Sequence, residues 1–233
     1  MFTPQSTLWF TPFTKYLFEL TGRSLHSLKT KMLSSIPNVQ FSSETDKKKL
    51  DVINNRIVWI DMEMTGLDIE SDKIMEVACL ITDSELNIIA EGPELIIHQP
   101  KQILDNMNEW CVNQHGKTDL TEASLKSKIS VQMAESSMLE FVKKHVAERS
   151  SPLAGNSVYM DRMFLKKFMP TLNEYLHYRI IDVSTLKEIC RRWNPDLYKT
   201  VPKKEYQHRA VNDIKESVDE LKFYKDNFLK VQL

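Results

Sequence analysis

The chain has 233 residues, 42% of them hydrophobic and 27% charged, a size and composition that suit one medium globular domain with a substantial core. The chain has 31 Lys and Arg residues and 32 Asp and Glu residues, which gives a net charge of −1. Proteins that hold long nucleic acid by attraction to its phosphate backbone alone usually carry a marked excess of basic residues, so this charge argues against that class. The three cysteines form no zinc-type pair and no apolar stretch reaches the roughly 18–20 residues that span a bilayer, which predicts a soluble protein with reduced thiols in an intracellular compartment.

The first fifty residues differ from the rest, and we expect a disordered or helical presequence at residues 1–50 ahead of a folded domain at residues 51–233. Between Met1 and Ser43 a single acid, Glu19, stands against four basic residues in a background rich in Ser and Thr. A basic, acid-poor and amphipathic segment of this kind is typical of a mitochondrial transit peptide. The alternative is a tail that carries no address, which would leave the protein in the cytoplasm or the nucleus.

From Arg56 onward the apolar periodicity is that of a mixed α/β domain. Apolar runs bounded by turn residues predict five strands, at Arg56–Ile60, Ile74–Thr82, Asn87–Ile97, Leu153–Asn156 and Tyr178–Val183. Helical spacing predicts helices at Asp105–Gln114, Leu120–Lys126, Val131–Glu148 and Tyr159–Phe168, then from an N-cap at Ser184 to Arg192, and from Arg209 to about Lys230. Three consecutive strands followed by two that alternate with helices indicate a five-stranded mixed sheet covered by helices.

Two carboxylates, Asp61 and Glu63, lie at the end of the first predicted strand. Residues i and i+2 of a strand point to the same face, so these side chains lie side by side and repel each other unless a cation or a proton intervenes. Hard oxygen ligands of this kind suit Mg²⁺ or Mn²⁺. The alternative is an exposed sheet edge at which water solvates both acids.

Two further motifs are uninformative when taken alone. Asp161 lies in the first turn of a predicted helix, shortly after Gly155-Asn156-Ser157. An acid is common at this position without any catalytic role, because the helix dipole stabilises a negative charge there. His208 lies just before the last predicted helix and Asp213 lies within it, so both can face one site. A single His is more often a surface residue or a hydrogen-bonded core residue than a catalytic one.

Together these motifs form one ordered pattern: an acid pair on a first strand, an acid at a middle helix, and a His five residues before an acid in the last helix. The pattern resembles the DEDDh class of 3′→5′ exonucleases, and from about Arg56 to Lys230 it resembles the oligoribonuclease family in particular. The segments that carry the closer resemblance are Trp59–Leu67, Ala90–Pro93, His98-Gln99, Gly155–Ser157, His177–Arg179 and Asp182–Lys187.

This resemblance implies an RNase H-like fold, a homodimer and two divalent cations, Mg²⁺ or Mn²⁺. It assigns metal ligation to four acids, Asp61, Glu63, Asp161 and Asp213. His208 corresponds to the general base, a role that suits an imidazole with an unperturbed pKa near 6.5.

The resemblance also implies a set of contacts with RNA. Leu67 and Trp110 correspond to the pair that brackets the bases, although core packing is the alternative for both. His115 aligns with a residue near the 3′ end. The residues that correspond to the pocket for the 5′-phosphate are Ser157 and Ser184 of one subunit with Tyr178 and Arg179 of the other.

The sequence therefore predicts a 3′→5′ exoribonuclease that degrades short oligoribonucleotides, especially dinucleotides, to nucleoside 5′-monophosphates. One alternative is a broader DEDDh exonuclease that trims or proofreads longer RNA or DNA ends. Another is an RNA-binding module without activity, which the loss of a metal ligand would have favoured.

Overall fold

The computed structural model describes residues 55–203 and 209–229, and in these ranges the chain forms one five-stranded mixed sheet. The strands are β1 (Ile57–Met64), β2 (Ile74–Thr82), β3 (Ile88–Ile96), β4 (Leu153–Gly155) and β5 (Ile180–Asp182). Their order across the sheet is β3-β2-β1-β4-β5, with β1, β2 and β3 antiparallel and β4 and β5 added in parallel. This arrangement confirms the predicted α/β fold class.

Helices cover both faces of the sheet. In the described ranges they are α1 (Lys101–Asp105), α2 (Glu109–Lys117), α3 (Leu120–Lys126), α4 (Val131–His145), α5 (Tyr159–Phe168), α6 (Pro170–Tyr175), α7 (Val183–Trp193), α8 (Pro195–Tyr198) and α9 (Ala210–Asn227). None of these helices has the length and apolar character that crossing a membrane requires.

Alternate residues of β1 belong to two different cores. Val58 and Ile60 pack into the core that includes buried residues of α4, α5 and α6, whereas Ile57 and Trp59 pack into the core under α7 and α9. Because side chains alternate along a strand, Asp61 and Glu63 continue the α9-facing row of β1. The apolar row thus ends in two acids beneath a helix.

Two local predictions are wrong. The single helix expected at Asp105–Gln114 is two helices, because Asn108 has an extended backbone and its side chain accepts a hydrogen bond from the Cys111 backbone N–H, which starts a new helix. The N-cap of α7 is Asp182 rather than Ser184, since the Asp182 carboxylate accepts the Ser184 backbone N–H at 2.9 Å.

The three cysteines lie in the protein interior. Cys79, Cys111 and Cys190 are buried and free, which agrees with the expected reduced thiols. The predicted presequence at residues 1–50 lies outside the described residues.

Candidate active site

Three of the predicted metal ligands converge where β1 passes beneath the start of α9. One carboxylate oxygen from each of Asp61, Glu63 and Asp213 lies within 4.8 Å of the other two. Asp61 and Glu63 lie on one face of β1, and Asp213 lies in the first turn of α9. A cluster of three carboxylate oxygens is a donor set suited to a hard divalent cation.

Burial and mutual repulsion make this cluster costly when it carries only negative charge. Glu63 is 8% exposed, and its pKa is raised from 4.5 to about 8, first by burial and then by the neighbouring Asp213, Glu76 and Asp161 carboxylates. A bound cation removes this repulsion, so the residues present fit the divalent ion that the resemblance implies.

Asp161 lies against the same strand but outside the group of three. It is buried in the first turn of α5, and its Oδ1 accepts the Met62 backbone N–H at 3.1 Å. Met62 separates Asp61 from Glu63, so this bond fixes Asp161 beside the acid pair. Burial, with a smaller contribution from the Asp182 charge, raises the pKa of Asp161.

The predicted general base, His208, lies outside the described residues. The residue that follows it is firmly held, since the Arg209 guanidinium donates to Glu76 Oε1 at 2.9 Å. Glu76 is fully buried on β2 directly across from Glu63, and its Oε2 also accepts the Ala210 backbone N–H at 3.2 Å. Glu76 thus anchors the start of α9 beside the carboxylate cluster.

His115 occupies a buried position rather than a surface facing solvent. The ring is 1% exposed, and its Nε2 donates to the Met64 carbonyl at 2.9 Å. The other ring nitrogen, Nδ1, lies 3.9 Å from Glu63 Oε2. His115 therefore links α2 to the end of β1, immediately behind the acid pair.

The two residues predicted to contact the bases are exposed apolar side chains. Leu67 lies just after the strand and is 67% exposed, while Trp110, near the start of α2, is 60% exposed. Core packing, the alternative for both residues, is therefore excluded. Exposed apolar and aromatic faces of this kind suit bases that stack without sequence-specific hydrogen bonds.

The two predicted serines of the phosphate pocket meet at the carboxyl ends of β4 and β5. Their hydroxyl oxygens lie 3.1 Å apart, and Ser184 Oγ donates to Asn156 Oδ1 at 3.1 Å. The Ser157 backbone N–H points at Ser184 Oγ, 2.9 Å away. The sequence motif Gly155-Asn156-Ser157 is thereby joined to the start of α7.

Tyr178 and Arg179 form an exposed pair just before β5. The Arg179 guanidinium lies 5.3 Å from the centre of the Tyr178 ring, and Tyr178 is 73% exposed. Within the described part of one chain, neither side chain hydrogen-bonds Ser157 or Ser184.

Three polar residues that organise these groups, Asn156, Asp182 and Glu76, were not identified as functional from the sequence. Asn156 donates to Ser217 Oγ at 2.7 Å, and Ser217 donates in turn to the Asp213 carbonyl. Asp182 binds the backbone of both serines, and Glu76 holds α9. The signal available in the sequence for Glu76 was a single acid within the otherwise apolar run of β2.

Comparison with known proteins places the chain in a family. The family model RNase_T, described as an exonuclease, matches residues 58–221. The chain is 56% identical over 178 residues to the mitochondrial oligoribonuclease of Homo sapiens, which covers 76% of this chain and 75% of that protein. It is 50% identical over 177 residues to the oligoribonuclease of Chromobacterium violaceum, covering 76% of this chain and 97% of the bacterial protein.

Solved structures share the fold at much lower identity. Exonuclease I from Methylocaldum szegediense superposes with a TM-score of 0.56 at 15% identity, and the match covers 75% of this chain but 41% of that one. E. coli exonuclease I in complex with a 5cy-dA13 oligonucleotide gives 0.54 at 16%, covering 75% and 41%. With its fold, its acidic cluster and its similarity to these relatives, the chain belongs to the oligoribonuclease family of exonucleases.

Proposed function

We propose that this chain is a 3′→5′ exoribonuclease that hydrolyses short oligoribonucleotides, especially dinucleotides, to nucleoside 5′-monophosphates. The observation that carries the proposal is the convergence of Asp61, Glu63 and Asp213 within 4.8 Å. The human and bacterial relatives are both oligoribonucleases, which supports RNA as the substrate.

Four acids would hold the cations: Asp61, Glu63, Asp161 and Asp213. Divalent cations bound there would supply Lewis-acid activation of water and would neutralise charge on the scissile phosphate. Asp161 enters this set with one oxygen engaged by the Met62 backbone N–H, which fixes its orientation. Either Mg²⁺ or Mn²⁺ suits such oxygen ligands.

His208 would take a proton from the attacking water. Its neighbour Arg209 is tied to the buried Glu76, so the chain on one side of His208 is fixed beside the carboxylates. An imidazole is half-protonated near neutral pH, whereas a carboxylate there would be a weaker base and a lysine would be mostly protonated. This matches the requirement of a general base that works near pH 7.

The other residues of the proposed site would restrict the substrate to short RNA, because they bind the bases and the terminal phosphate. Leu67 and Trp110 would stack on the bases, and Ser157 with Ser184 would bind the terminal phosphate. Tyr178 and Arg179 would come from the second subunit of a homodimer, since they are exposed and do not hydrogen-bond the serines of their own chain in its described part. A planar guanidinium is well suited to grip a phosphate group.

The test of the proposed function is the rate of hydrolysis against substrate length. Purified protein with Mg²⁺ or Mn²⁺ is given 5′-phosphorylated RNAs of two to ten nucleotides, labelled at one end. We expect nucleoside 5′-monophosphates released from the 3′ end, with the dinucleotide cleaved fastest. Equal rates at all lengths would contradict the length limit, and release from the 5′ end would contradict the polarity.

We also propose that residues 1–50 form a presequence that directs the exonuclease domain, residues 51–233, to mitochondria. The composition of the segment and the mitochondrial names of the human and bovine relatives support this location. A fluorescent reporter fused to residues 1–50 is expected to enter mitochondria. The matched control replaces its basic residues, Lys15, Arg23, Lys29 and Lys31, by Gln, and a diffuse signal from the unchanged segment would contradict the address.

A further inference from the structure

One carboxylate joins two chain segments at the proposed phosphate pocket. Asp182 ends β5 and caps α7, and its Oδ1 accepts the Ser184 backbone N–H at 2.9 Å. The same oxygen accepts the Ser157 backbone N–H at 3.0 Å. Asp182 therefore binds the segments that follow β4 and β5. These two strands pair in parallel, with Gly155 at the end of β4 opposite Asp182 at the end of β5.

The segment after β4 needs such a clamp because Ser157 has a costly backbone conformation. Its φ is 52°, in the left-handed region that a residue with a side chain rarely adopts. Strain of this kind persists where surrounding contacts hold it, and such residues cluster at functional sites. Here the contacts that hold the Ser157 N–H are Asp182 Oδ1 and Ser184 Oγ.

The clamp brings the two serine hydroxyls together on an accessible surface. Their oxygens lie 3.1 Å apart, Ser157 is exposed, and both residues line a cleft that also contains Asp182 and Arg192. The Asp182 carboxylate itself is a poor partner for a phosphate, since like charges repel. Its contribution is therefore to the geometry of the pocket.

We propose that Asp182 is a positioning residue for recognition of the terminal phosphate of the RNA. It acts by accepting hydrogen bonds from the backbone N–H groups of Ser157 and Ser184. These two bonds keep Ser157 in its left-handed conformation and hold its hydroxyl beside that of Ser184. The inference rests on the proposed function, because that function places the phosphate at these serines. The simpler role to separate from it is that Asp182 only caps α7.

Three substitutions separate the two roles. Asp182→Asn keeps an oxygen acceptor of the same reach and removes the charge. Asp182→Ser keeps a good N-cap for α7 but is too short to accept from both segments at once. Asp182→Ala loses both contacts. Ser130→Ala is the matched control, since Ser130 caps α4 by accepting the Met133 backbone N–H, well away from the two serines in sequence.

The measurement is kcat and KM for a 5′-phosphorylated dinucleotide and for the same dinucleotide with a 5′-hydroxyl. We expect wild type to prefer the phosphorylated substrate, and Asp182→Ser and Asp182→Ala to lose about tenfold or more of that preference, mainly through KM, because hydrogen bonds to charged groups are misplaced. Asp182→Asn and Ser130→Ala are expected to keep it. Circular dichroism of each variant establishes that it is folded.

The outcomes separate the inference from the function on which it rests. A wild type that treats the two dinucleotides alike would contradict the phosphate pocket, and with it the role of Asp182. A wild-type preference that survives in folded Asp182→Ser would overturn the positioning role alone and leave Asp182 as a helix cap. If Asp182→Ala does not fold, the Asn and Ser variants still decide the question.

Discussion

Glu63 is a residue of the candidate site whose surroundings are unfavourable to a negative charge. It is buried, it lies opposite the buried Glu76, and it faces Asp213 from the adjacent helix. A carboxamide of the same shape cannot supply the negative charge that a cation requires. The geometry of the site therefore makes removal of charge a sharper test than truncation.

We expect Asp61→Asn, Glu63→Gln and Asp213→Asn each to nearly abolish hydrolysis of short RNA while the protein stays folded. The reason is that each removes a carboxylate charge from a cluster whose oxygens lie within 4.8 Å of one another. Initial rates with saturating Mg²⁺ or Mn²⁺ provide the measurement. Asp105→Asn is the matched control, because Asp105 is an exposed acid that pairs with Lys101. A near wild-type rate in any of the three would remove that residue from the site.

The raised pKa of Glu63 leads to a second expectation, for the protein without metal. The pKa in the folded state, about 8, exceeds the usual 4.5, so the stability that this group contributes is present below about pH 4.5 and is lost as the pH rises through 8. The melting temperature in EDTA is therefore expected to fall between pH 6 and 8.5. Added Mg²⁺ is expected to raise it more at pH 8.5 than at pH 6.

Glu63→Gln is the control for this pH dependence, because it cannot titrate. We expect the fall in melting temperature to be smaller in this variant than in wild type. An equal effect of Mg²⁺ at the two pH values in wild type would show that the cluster does not bind the cation through this carboxylate.

At the scale of secondary structure, the start of α9 depends on a pair of opposite charges. Glu76 is fully buried, and Arg209 is its partner, with a side chain that is 35% exposed. We expect Arg209→Met to lower the free energy of unfolding by roughly 3 kcal/mol, because it leaves a buried carboxylate without its charged partner. Urea unfolding followed by circular dichroism measures the loss.

A second ion pair on the same helix is the matched control. Lys215 binds Glu91 on β3 at 2.9 Å, and both side chains are substantially exposed, at 40% and 52%. Lys215→Met is expected to cost less than about 1 kcal/mol, as exposed pairs do. Equal costs for the two variants would mean that burial of Glu76 does not govern the anchoring of α9.

The elements themselves were largely predictable from sequence, since strong periodicity decided them. β2 is buried along its whole length and follows its predicted bounds, and α5 begins and ends as predicted. The break before α2 was not predictable, because a single capping side chain, Asn108, decides it. The burial of His115 depends on how α2 packs against β1, which no local pattern encodes.

The candidate site was predictable to a different degree. The acid pair followed from its i, i+2 spacing, and Asp213 reached it because α9 packs on β1 and β2. The clamp at Asp182 joins residues 25 positions apart, so neither spacing nor residue type reveals it. Contacts between distant segments are where sequence reasoning reaches its limit.

At the scale of the whole molecule, the proposed phosphate pocket would combine residues of two subunits. A charge-assisted contact with phosphate contributes roughly 1.5–3 kcal/mol, so Arg179→Ala is expected to slow dinucleotide hydrolysis about 10- to 150-fold. Decamer hydrolysis is expected to suffer much less, because a longer RNA cannot place its terminal phosphate there. Arg149→Ala is the matched control, since Arg149 is an exposed arginine beside Glu148.

Mixing two impaired variants tests whether Arg179 acts across the subunit interface. Asp161→Ala lacks one of the four proposed metal ligands but keeps Arg179, whereas Arg179→Ala keeps the four acids. After subunit exchange, a mixture is expected to recover dinucleotide hydrolysis, because one site of each mixed dimer then has both. Absence of recovery despite demonstrated exchange would contradict a shared pocket.

The buried cysteines have a consequence for how the protein meets oxidants. Burial raises the pKa of all three thiols, Cys79, Cys111 and Cys190, and the thiolate is the form that reacts with peroxides and electrophiles. The folded chain thus exposes no cysteine thiolate for alkylation or glutathionylation. Such reagents can modify these thiols only when the core opens locally, so modification of cysteine would report partial unfolding of the protein.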